Sequence, residues 1–371
     1  MSRNTGSVAS SDSSWLKLYA AVAVLPLVLA ACGGGGGGGG SAPLTPTPAP
    51  TPTPTPSPSP SPSPAPTSIG QNWTNASVGS VGNLVGVDYD DNLFVAVSDT
   101  GAAVTSPDLA TWTPATLLSS NVSTDHLKAY GIGHIGSNFV AYGSTSPAPY
   151  TTSTGAVATS SDGVTWTMAS LPAGATPIHG LIAGTRLIGL GEGGHLYAST
   201  NGQTWSALTT IIPAAGAPAV GTFNAGAYGA GGHYVGVGDN GYLIESSDDG
   251  AHWSSAQVVT VNNAGVNMHG IVWTGTQFVA VGDNGIITTS TNGTAWPKLY
   301  TSAIPGALRS VTVSSNGVIV IVGDNGIETS TDGFTWTARN ASGVAQLTGA
   351  TFGNNAFVAV GAANTVKTST N

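Results

Sequence analysis

Short apolar runs separated by turn residues recur along the chain from residue 70 onward. In one repeat, Ile271–Trp273 and Phe278–Val281 precede a Gly-Asp-Asn-Gly turn at Gly282–Gly285, and Ile286–Ser290 follows it. Runs of this length that are rich in β-branched and aromatic residues predict strands. Asp-Asn-Gly favours a tight hairpin because its residues tolerate positive φ. The pattern therefore predicts antiparallel strands and no helices.

A second motif, Ser-x-Asp/Asn-Gly-x-Thr-Trp with variations, ends each repeat. Its acidic or amide residues are Asp108, Asp162, Asn201, Asp248, Asn292 and Asp332, and its tryptophans are Trp112, Trp166, Trp205, Trp253, Trp296 and Trp336. The spacing between successive tryptophans runs from 39 residues (Trp166 to Trp205) to 54 (Trp112 to Trp166). A strand-rich period of about 40–50 residues is typical of propeller blades rather than helical solenoids.

The two ends of the domain complete the count of repeats. The chain stops at Thr368–Asn371, and the domain starts at Gly70–Trp73. Joined end to end, these segments match Ser199–Trp205, which predicts a seventh motif made of Asn371 from one end and Trp73 from the other. Closure of this kind removes a free sheet edge. The sequence therefore predicts an all-β, seven-bladed β-propeller of four-stranded antiparallel blades over residues 70–371, closed by the two terminal segments.

The residues before the domain predict export and attachment. The apolar run Leu18–Ala31 is shorter than the ~20 residues of a membrane-spanning helix and ends in Leu29-Ala-Ala-Cys32. This ending resembles the bacterial lipoprotein box, which implies a signal peptide at 1–31 and acylation of Cys32; an ordinary secretory signal is the alternative. Gly33 after the cysteine, in place of Asp, implies the outer membrane or cell surface. Residues 32–69, rich in Gly and then in Pro, predict a tether.

The composition excludes several classes of function. Eight Lys+Arg against 17 Asp+Glu cannot form the basic stripe of a nucleic-acid-binding protein. A single Cys excludes an internal disulfide and a multi-cysteine metal site. The seven histidines show no metal-binding spacing. We therefore expect no metal, no cofactor and no nucleic-acid partner, and we expect a monomer.

The closing motifs resemble the Asp-box of the bacterial neuraminidase repeat, and the array is similar to the non-enzymatic Asp-box propellers related to photosystem II assembly factors. The resemblance implies that the Asp/Asn and Trp residues of the motifs are structural. A sialidase would bring three arginines together around its substrate. Arg186 is expected at a hairpin and Arg339 on an outer strand, and only Arg309 has an inner-strand position. The chain is therefore not expected to be a sialidase or another enzyme.

One inner-strand position predicts a channel lining. The residue after the first apolar residue of each innermost strand is variable and mostly polar: Val85, Lys128, His179, Asn224, His269, Arg309 and Thr348. A small residue follows each: Gly86, Ala129, Gly180, Ala225, Gly270, Ser310 and Gly349. The turn acids Asp99, Glu192, Asp239, Asp283 and Asp324 are expected on the same face, farther from the axis.

These residues favour a non-catalytic, surface-displayed scaffold that binds a protein or an anionic ligand such as a glycan at the channel mouth. An extracellular glycan-active hydrolase or lyase and a structural envelope or adhesion component are the alternatives. A carboxylate pair converging near the channel would indicate the enzyme, whereas a broad polar face would indicate the scaffold. A ring whose charges neutralise one another, with no ligand, also fits this pattern.

Cys32→Ser tests the lipid anchor. The variant lacks the thiol that would be acylated, so we expect it to lose palmitate labelling and to leave the detergent phase for the aqueous phase. Both are measured on whole cells that express the wild type and the variant. Continued labelling of the variant would contradict the anchor.

Overall fold

The computed structural model describes residues 69–117, 127–145, 153–208, 221–255, 259–262, 264–339 and 346–370. All of them belong to the unit Pro64–Asn371. Cys32, Asn371, the predicted signal peptide and nearly all of the predicted tether lie outside the described residues. Ile69, which we had expected in the tether, is instead 2% exposed and packs in the core of the domain. None of the described residues forms a helix long and apolar enough to cross a membrane.

Seven four-stranded antiparallel sheets, which we call blades 1–7, contain nearly all the described strands. From the inner strand outward, blade 1 has Leu84–Asp90, Leu93–Ser98, Ala102–Ser106 and Thr113–Thr116. Blade 2 has Lys128–Ile135, Asn138–Thr145, Thr154–Ser160 and Thr167–Met168. Blade 3 has Ile178–Ala183, Leu187–Gly191, Leu196–Ser199 and Ser206–Ala207. Blade 4 has Phe223–Gly229, His233–Gly238, Leu243–Ser246 and Ser254–Ser255.

Blade 5 has Met268–Trp273, Phe278–Gly282, Ile286–Ser290 and Lys298–Thr301. Blade 6 has Leu308–Val313, Ile319–Gly323, Gly326–Ser330 and Thr337–Arg339. Blade 7 has Leu347–Gly353, Ala356–Gly361, Thr365–Thr370 and, as its outer strand, Thr74–Ala76. Short 3-10 turns lie at Glu192–Gly194, Ala230–Gly232, Asp239–Gly241 and Asp283–Gly285, and a two-stranded ribbon pairs Thr260–Val261 with Ala264–Gly265.

The inner strand of each blade contacts the inner strand of the next, and that of blade 7 contacts that of blade 1. The sheets therefore form a closed ring, and the predicted seven-bladed propeller is confirmed. The hydrophobic core is divided into seven clusters, each shared by two neighbouring blades. In the cluster between blades 4 and 5, for example, Val235 meets Phe278 and Trp296.

The two terminal segments pair as the sequence predicts, while Asn371, the predicted amide residue of the split motif, lies outside the described residues. Thr74 pairs with Thr368 across the antiparallel ladder of blade 7. The Gly70 amide donates a hydrogen bond of 2.8 Å to Ser369 Oγ. The Trp73 indole donates to the Gly70 carbonyl at 3.0 Å. The tryptophans Trp166, Trp205, Trp253 and Trp296 make the same bond within their own motifs.

The acidic residue of each motif holds its turn together. Asp162 Oδ1 accepts hydrogen bonds from the amides of Thr165 and Val164, at 2.7 and 2.8 Å, and from Ser160 Oγ. These bonds, the one from Thr165 foremost, lower the pKa of Asp162 to about 2. Gly163 follows with φ +69°, and a Cβ there would lie 2.7 Å from the Thr105 side chain of the preceding blade. The turn therefore needs a glycine both for its conformation and for close contact between blades.

A partly buried ion pair joins the inner strands of blades 1 and 2. His134 Nδ1 lies 2.7 Å from Asp88 Oδ2. The hydrogen bond with Asp88 raises the pKa of His134, with Asp90 adding to the effect and burial opposing it.

Breaking the closure should destabilise the whole ring. Trp73→Ala removes a half-buried ring that packs against Phe357 at a centroid distance of 6.3 Å. We expect a loss of unfolding free energy toward the lower end of the ~3–5 kcal/mol that a fully buried Trp→Ala costs. Removal of Lys367–Asn371 should cost more, because it takes away four of the six residues in the third strand of blade 7. Thermal or urea unfolding measures both, and unchanged melting temperatures would contradict closure through the termini.

His134→Gln should destabilise the domain in a pH-dependent way. The folded-state pKa of His134 lies above the unfolded value near ~6.5. The stabilisation is therefore complete below that value and is lost as pH rises through the folded-state pKa. Urea unfolding at about pH 5.5 and about pH 9 should show a larger difference between wild type and variant at the lower pH. In an Asp88→Asn background the difference should depend much less on pH, since Asp88 is the largest cause of the raised pKa. Equal differences at both pH values in the wild-type background would contradict the assignment.

Candidate channel-mouth site

The inner strand of each blade contains a β-bulge near its start. In six blades the pairing of the inner and second strands skips one residue, as between Leu84 and Gly86 of blade 1. The skipped residues are Val85, His179, Asn224, His269, Arg309 and Thr348, which are the predicted lining residues of those blades. A bulge re-aims a side chain. Here all six line a cavity of about 180 Å³ to which the inner strands of all seven blades contribute.

Blade 2 departs from the predicted register by two residues. Its bulge lies between Ala129 and Gly131, so Tyr130 occupies the lining position and Gly131 the small-residue position. Lys128 is exposed and does not line the cavity; its Nζ lies 5.6 Å from the centre of the Tyr130 ring. The sequence Lys128-Ala-Tyr-Gly offers two pairs of a lining residue and a small residue, and we chose the wrong one.

The small residues make the channel narrow. A Cβ on Gly86 would lie 3.1 Å from Gly131 Cα of blade 2, and a Cβ on Gly349 would lie 3.1 Å from Gly86 Cα. The inner strands therefore approach one another more closely than side chains would permit. With a volume of about 180 Å³, the cavity has room for ordered waters or for one side chain. A larger ligand must lie over the mouth.

Both lining histidines are held by carboxylates. His179 Nε2 lies 2.9 Å from Glu192 Oε1, and His269 Nε2 lies 2.7 Å from Asp283 Oδ1. Each carboxylate comes from the turn between the second and third strands of the same blade. The ring of Tyr130 stacks on the ring of His179 at a centroid distance of 4.3 Å. The orientation of each histidine is thus fixed by its own blade and, for His179, by its neighbour.

Arg309 and Asn224 are also held by a carboxylate from the turn between the second and third strands of their own blade. Arg309 donates from Nε and from a terminal nitrogen to the two oxygens of Asp324, at 2.9 and 3.3 Å. Asn224 Nδ2 donates to Asp239 Oδ1 at 3.0 Å. Burial acts to raise the pKa of Asp324, but the hydrogen bonds from Arg309 and Gln346 bring it below its usual value. These acids therefore lie beside the lining residues, on the face where the sequence predicted them.

The lining residue Thr348 and the turn acid Asp99 have other hydrogen-bond partners. Thr348 Oγ1 donates to the Leu84 carbonyl of blade 1 at 2.6 Å, which links the last blade to the first. The lining residue of blade 1 is Val85, whose side chain cannot form a hydrogen bond. Asp99 instead accepts a hydrogen bond of 3.2 Å from Asn83 Nδ2.

The charge balance of the mouth is negative. Two cations, Lys128 and Arg309, accompany five carboxylates: Asp99, Glu192, Asp239, Asp283 and Asp324. Since Arg309 and both histidines are already bound to carboxylates, the mouth offers an anionic ligand little free positive charge. The carboxylates outnumber the cations, so the mouth keeps a net negative charge after these pairings.

The three arginines of the domain do not converge. Arg309 lines the channel, whereas Arg186 Nε donates to the Asp249 carbonyl of blade 4 at 3.0 Å. Arg339 Nε donates to Thr329 Oγ1 of blade 6 at 2.7 Å. Within the described ranges, no group of three or more His, Cys, Asp or Glu residues is placed to hold a metal ion.

Comparison with known proteins shows the fold alone. No protein-family model matches the chain, and no curated protein sequence matches it. Among solved structures, YCF48 from Cyanidioschyzon merolae is similar with a TM-score of 0.61 and 15% identity, over 80% of this chain and 98% of that one. A structure of YCF48 bound to D1 peptide is similar with a TM-score of 0.61 and 16% identity, over 81% and 95% of the two chains. Virginiamycin B lyase from Staphylococcus aureus, in a catalytically inactive variant with quinupristin, has a TM-score of 0.65 and 11% identity, over 81% and 99%. The chain thus shares its β-propeller fold with peptide-bound and lyase propellers.

Proposed function

We propose that this protein is a non-catalytic binding scaffold whose channel mouth holds a segment of another polypeptide. One observation carries the proposal. The β-bulges direct a set of side chains into the channel, and hydrogen bonds within the protein hold these side chains in place. Groups fixed before binding lose little conformational freedom when a ligand arrives. The narrow channel admits one side chain, while the rest of the segment lies across the mouth.

The negative mouth favours a segment with a basic side chain. Glu192 and Asp283 keep 48% and 34% of their side-chain surface exposed, although each already accepts a hydrogen bond from a histidine. A Lys or Arg side chain that enters the mouth can reach these carboxylates and gain charge-assisted hydrogen bonds. The anionic ligand that the sequence suggested has less support here, because Asp324 occupies the Arg309 guanidinium.

Two further observations support a scaffold over an enzyme. Each carboxylate of the mouth is hydrogen-bonded to a residue at the start of its own blade. Among the described residues of the mouth, these contacts do not include two carboxylates that face each other, which a glycosidase would need. One propeller of similar fold is known in a peptide-bound form. We propose in addition that Cys32 anchors the chain at the bacterial surface through the lipoprotein signal, with residues 33–68 as a spacer.

Binding of synthetic peptides to the full chain tests the proposal. We expect decapeptides with two or three Lys or Arg residues to bind, and matched acidic peptides not to bind, in fluorescence anisotropy at low salt. Asp283→Asn should weaken binding about tenfold, since a hydrogen bond to a charged group is worth ~1.5–3 kcal/mol.

The matched control is Asp91→Asn, which removes one negative charge at an exposed hairpin on the opposite face. It should leave the affinity within about twofold, because exposed charges farther apart than the ~8–10 Å Debye length are largely screened. Equal weakening by both variants, or no peptide binding by the wild type, would contradict a binding site at the mouth.

A further inference from the structure

Equivalent grooves lie on the face opposite the channel mouth, beside the closing motifs of blades 3, 5 and 6. Their volumes are about 280, 160 and 330 Å³ respectively. Each is lined by the Ser-Thr pair that opens the motif: Ser199 and Thr200, Ser290 and Thr291, and Ser330 and Thr331. Because the motif repeats, the same hydroxyl-lined groove recurs around the ring.

Each groove also contains a cation that forms no salt bridge with any described residue. Arg186, Lys298 and Arg339 line the grooves of blades 3, 5 and 6. Among the residues that the structure describes, none of the three forms a salt bridge, whereas Arg309 at the mouth does. Arg186 lies beside Asp249, whose backbone carbonyl accepts a hydrogen bond from its Nε, and Lys298 Nζ lies 4.6 Å from the centre of the Phe334 ring. The three cations come from different positions of their blades, and Arg339 is the one whose terminal nitrogens remain available to a ligand that brings its own negative charge.

The groove of blade 6 has the most complete set of binding groups. Arg339 Nε is fixed by its hydrogen bond to Thr329 Oγ1, which leaves the two terminal nitrogens of the guanidinium to bind a planar carboxylate in bidentate fashion. Thr331 and Thr337 add hydroxyls, which both donate and accept hydrogen bonds. Ile69 and Val318 form an apolar wall. A carboxylate, neighbouring hydroxyls and an apolar ring face occur together in a uronic acid.

We propose that these grooves bind an acidic polysaccharide of the uronate class, with the Arg339 groove as the main subsite. The grooves of blades 5 and 6 are adjacent, since Phe334 lines the first and Thr335, from the same turn, lines the second. A polymer with a carboxylate on every sugar can therefore contact Lys298 and Arg339 at once, and linked contacts raise the affinity beyond that of either one. This site is independent of the channel mouth.

Titration of the full chain with trigalacturonate, followed by calorimetry at low salt, tests the proposal. The matched ligand is the fully methyl-esterified trisaccharide, which keeps the sugar rings and loses the charge. We expect the wild type to bind the acid and not the ester. Arg339→Gln should weaken binding at least about tenfold, which corresponds to 1.4 kcal/mol. Arg339→Lys should recover only part of the loss, because an ammonium lacks the planar fork.

Lys128→Gln is the matched protein control, because it removes the same charge on the opposite face. It should change the affinity by less than about twofold, since exposed charges beyond the Debye length are screened. Thr337→Val, which keeps every charge, should weaken binding several-fold and serves as the deciding variant if the melting temperature of Arg339→Gln shows that it does not fold.

Three results would overturn the inference. The first is no heat of binding when the wild type is titrated to about 10 mM trigalacturonate, since a dissociation constant above that value is too weak for a specific site. The second is an equal loss of affinity in Arg339→Gln and Lys128→Gln, and the third is competition by acetate as strong as by the trisaccharide, which would indicate a simple anion site. Basic-peptide binding at the mouth should be unchanged in Arg339→Gln. Failure of the groove and failure of the mouth are therefore distinguishable in the same preparations.

Discussion

The pairing of Thr74–Ala76 with the last strand of the chain is the contact on which the propeller depends. A blade cannot bury both faces alone, so each of the seven clusters of the core needs two neighbouring blades. If the ring opened, the cluster between the two blades at the break would lose one of its walls, and a sheet edge would be free to pair with another chain. Closure also fixes the diameter of the ring, and thus how closely the inner strands approach one another.

That approach determines the form of the mouth. Because glycines such as Gly86 and Gly349 stand where inner strands nearly touch, the wall has no room for side chains except where a bulge turns one toward the axis. The turn acid of the same blade lies beside the bulge, since the residues that flank them, such as Leu308 and Gly323, are paired. Each blade thus supplies both a lining side chain and the carboxylate that holds it.

Much of this could be predicted from the sequence, because the repeat determines it. The blade count, the split motif and six of the seven lining residues follow from periodicity and from the alternation of strand residues. Lys128 was wrong because the local pattern Lys-Ala-Tyr-Gly fits two registers, and only the pairing of Ala129 with Gly143 selects one. The sequence left open a ring whose charges neutralise one another, but it did not identify the pairing of Arg309 with Asp324. We placed the turn acids farther from the axis, but a bulge brings the lining residue back toward the hairpin that carries the acid.

The grooves were beyond sequence reasoning, because they depend on which cations remain without a partner. Arg186 and Arg339 were considered only as possible members of a central triad, and their distance from the axis removed them from consideration. In the structure, both arginines line grooves away from the axis. Arg309 is neutralised at the mouth, while Arg186, Lys298 and Arg339 line cavities on the other face and form no salt bridge with a described residue. The groove face also carries the motif carboxylates Asp108, Asp162, Asp248 and Asp332, so its cations act locally at the grooves and not through the charge of the whole face. A basic segment and an acidic polymer can each be attracted to a different face of one rigid ring without competing for the same groups.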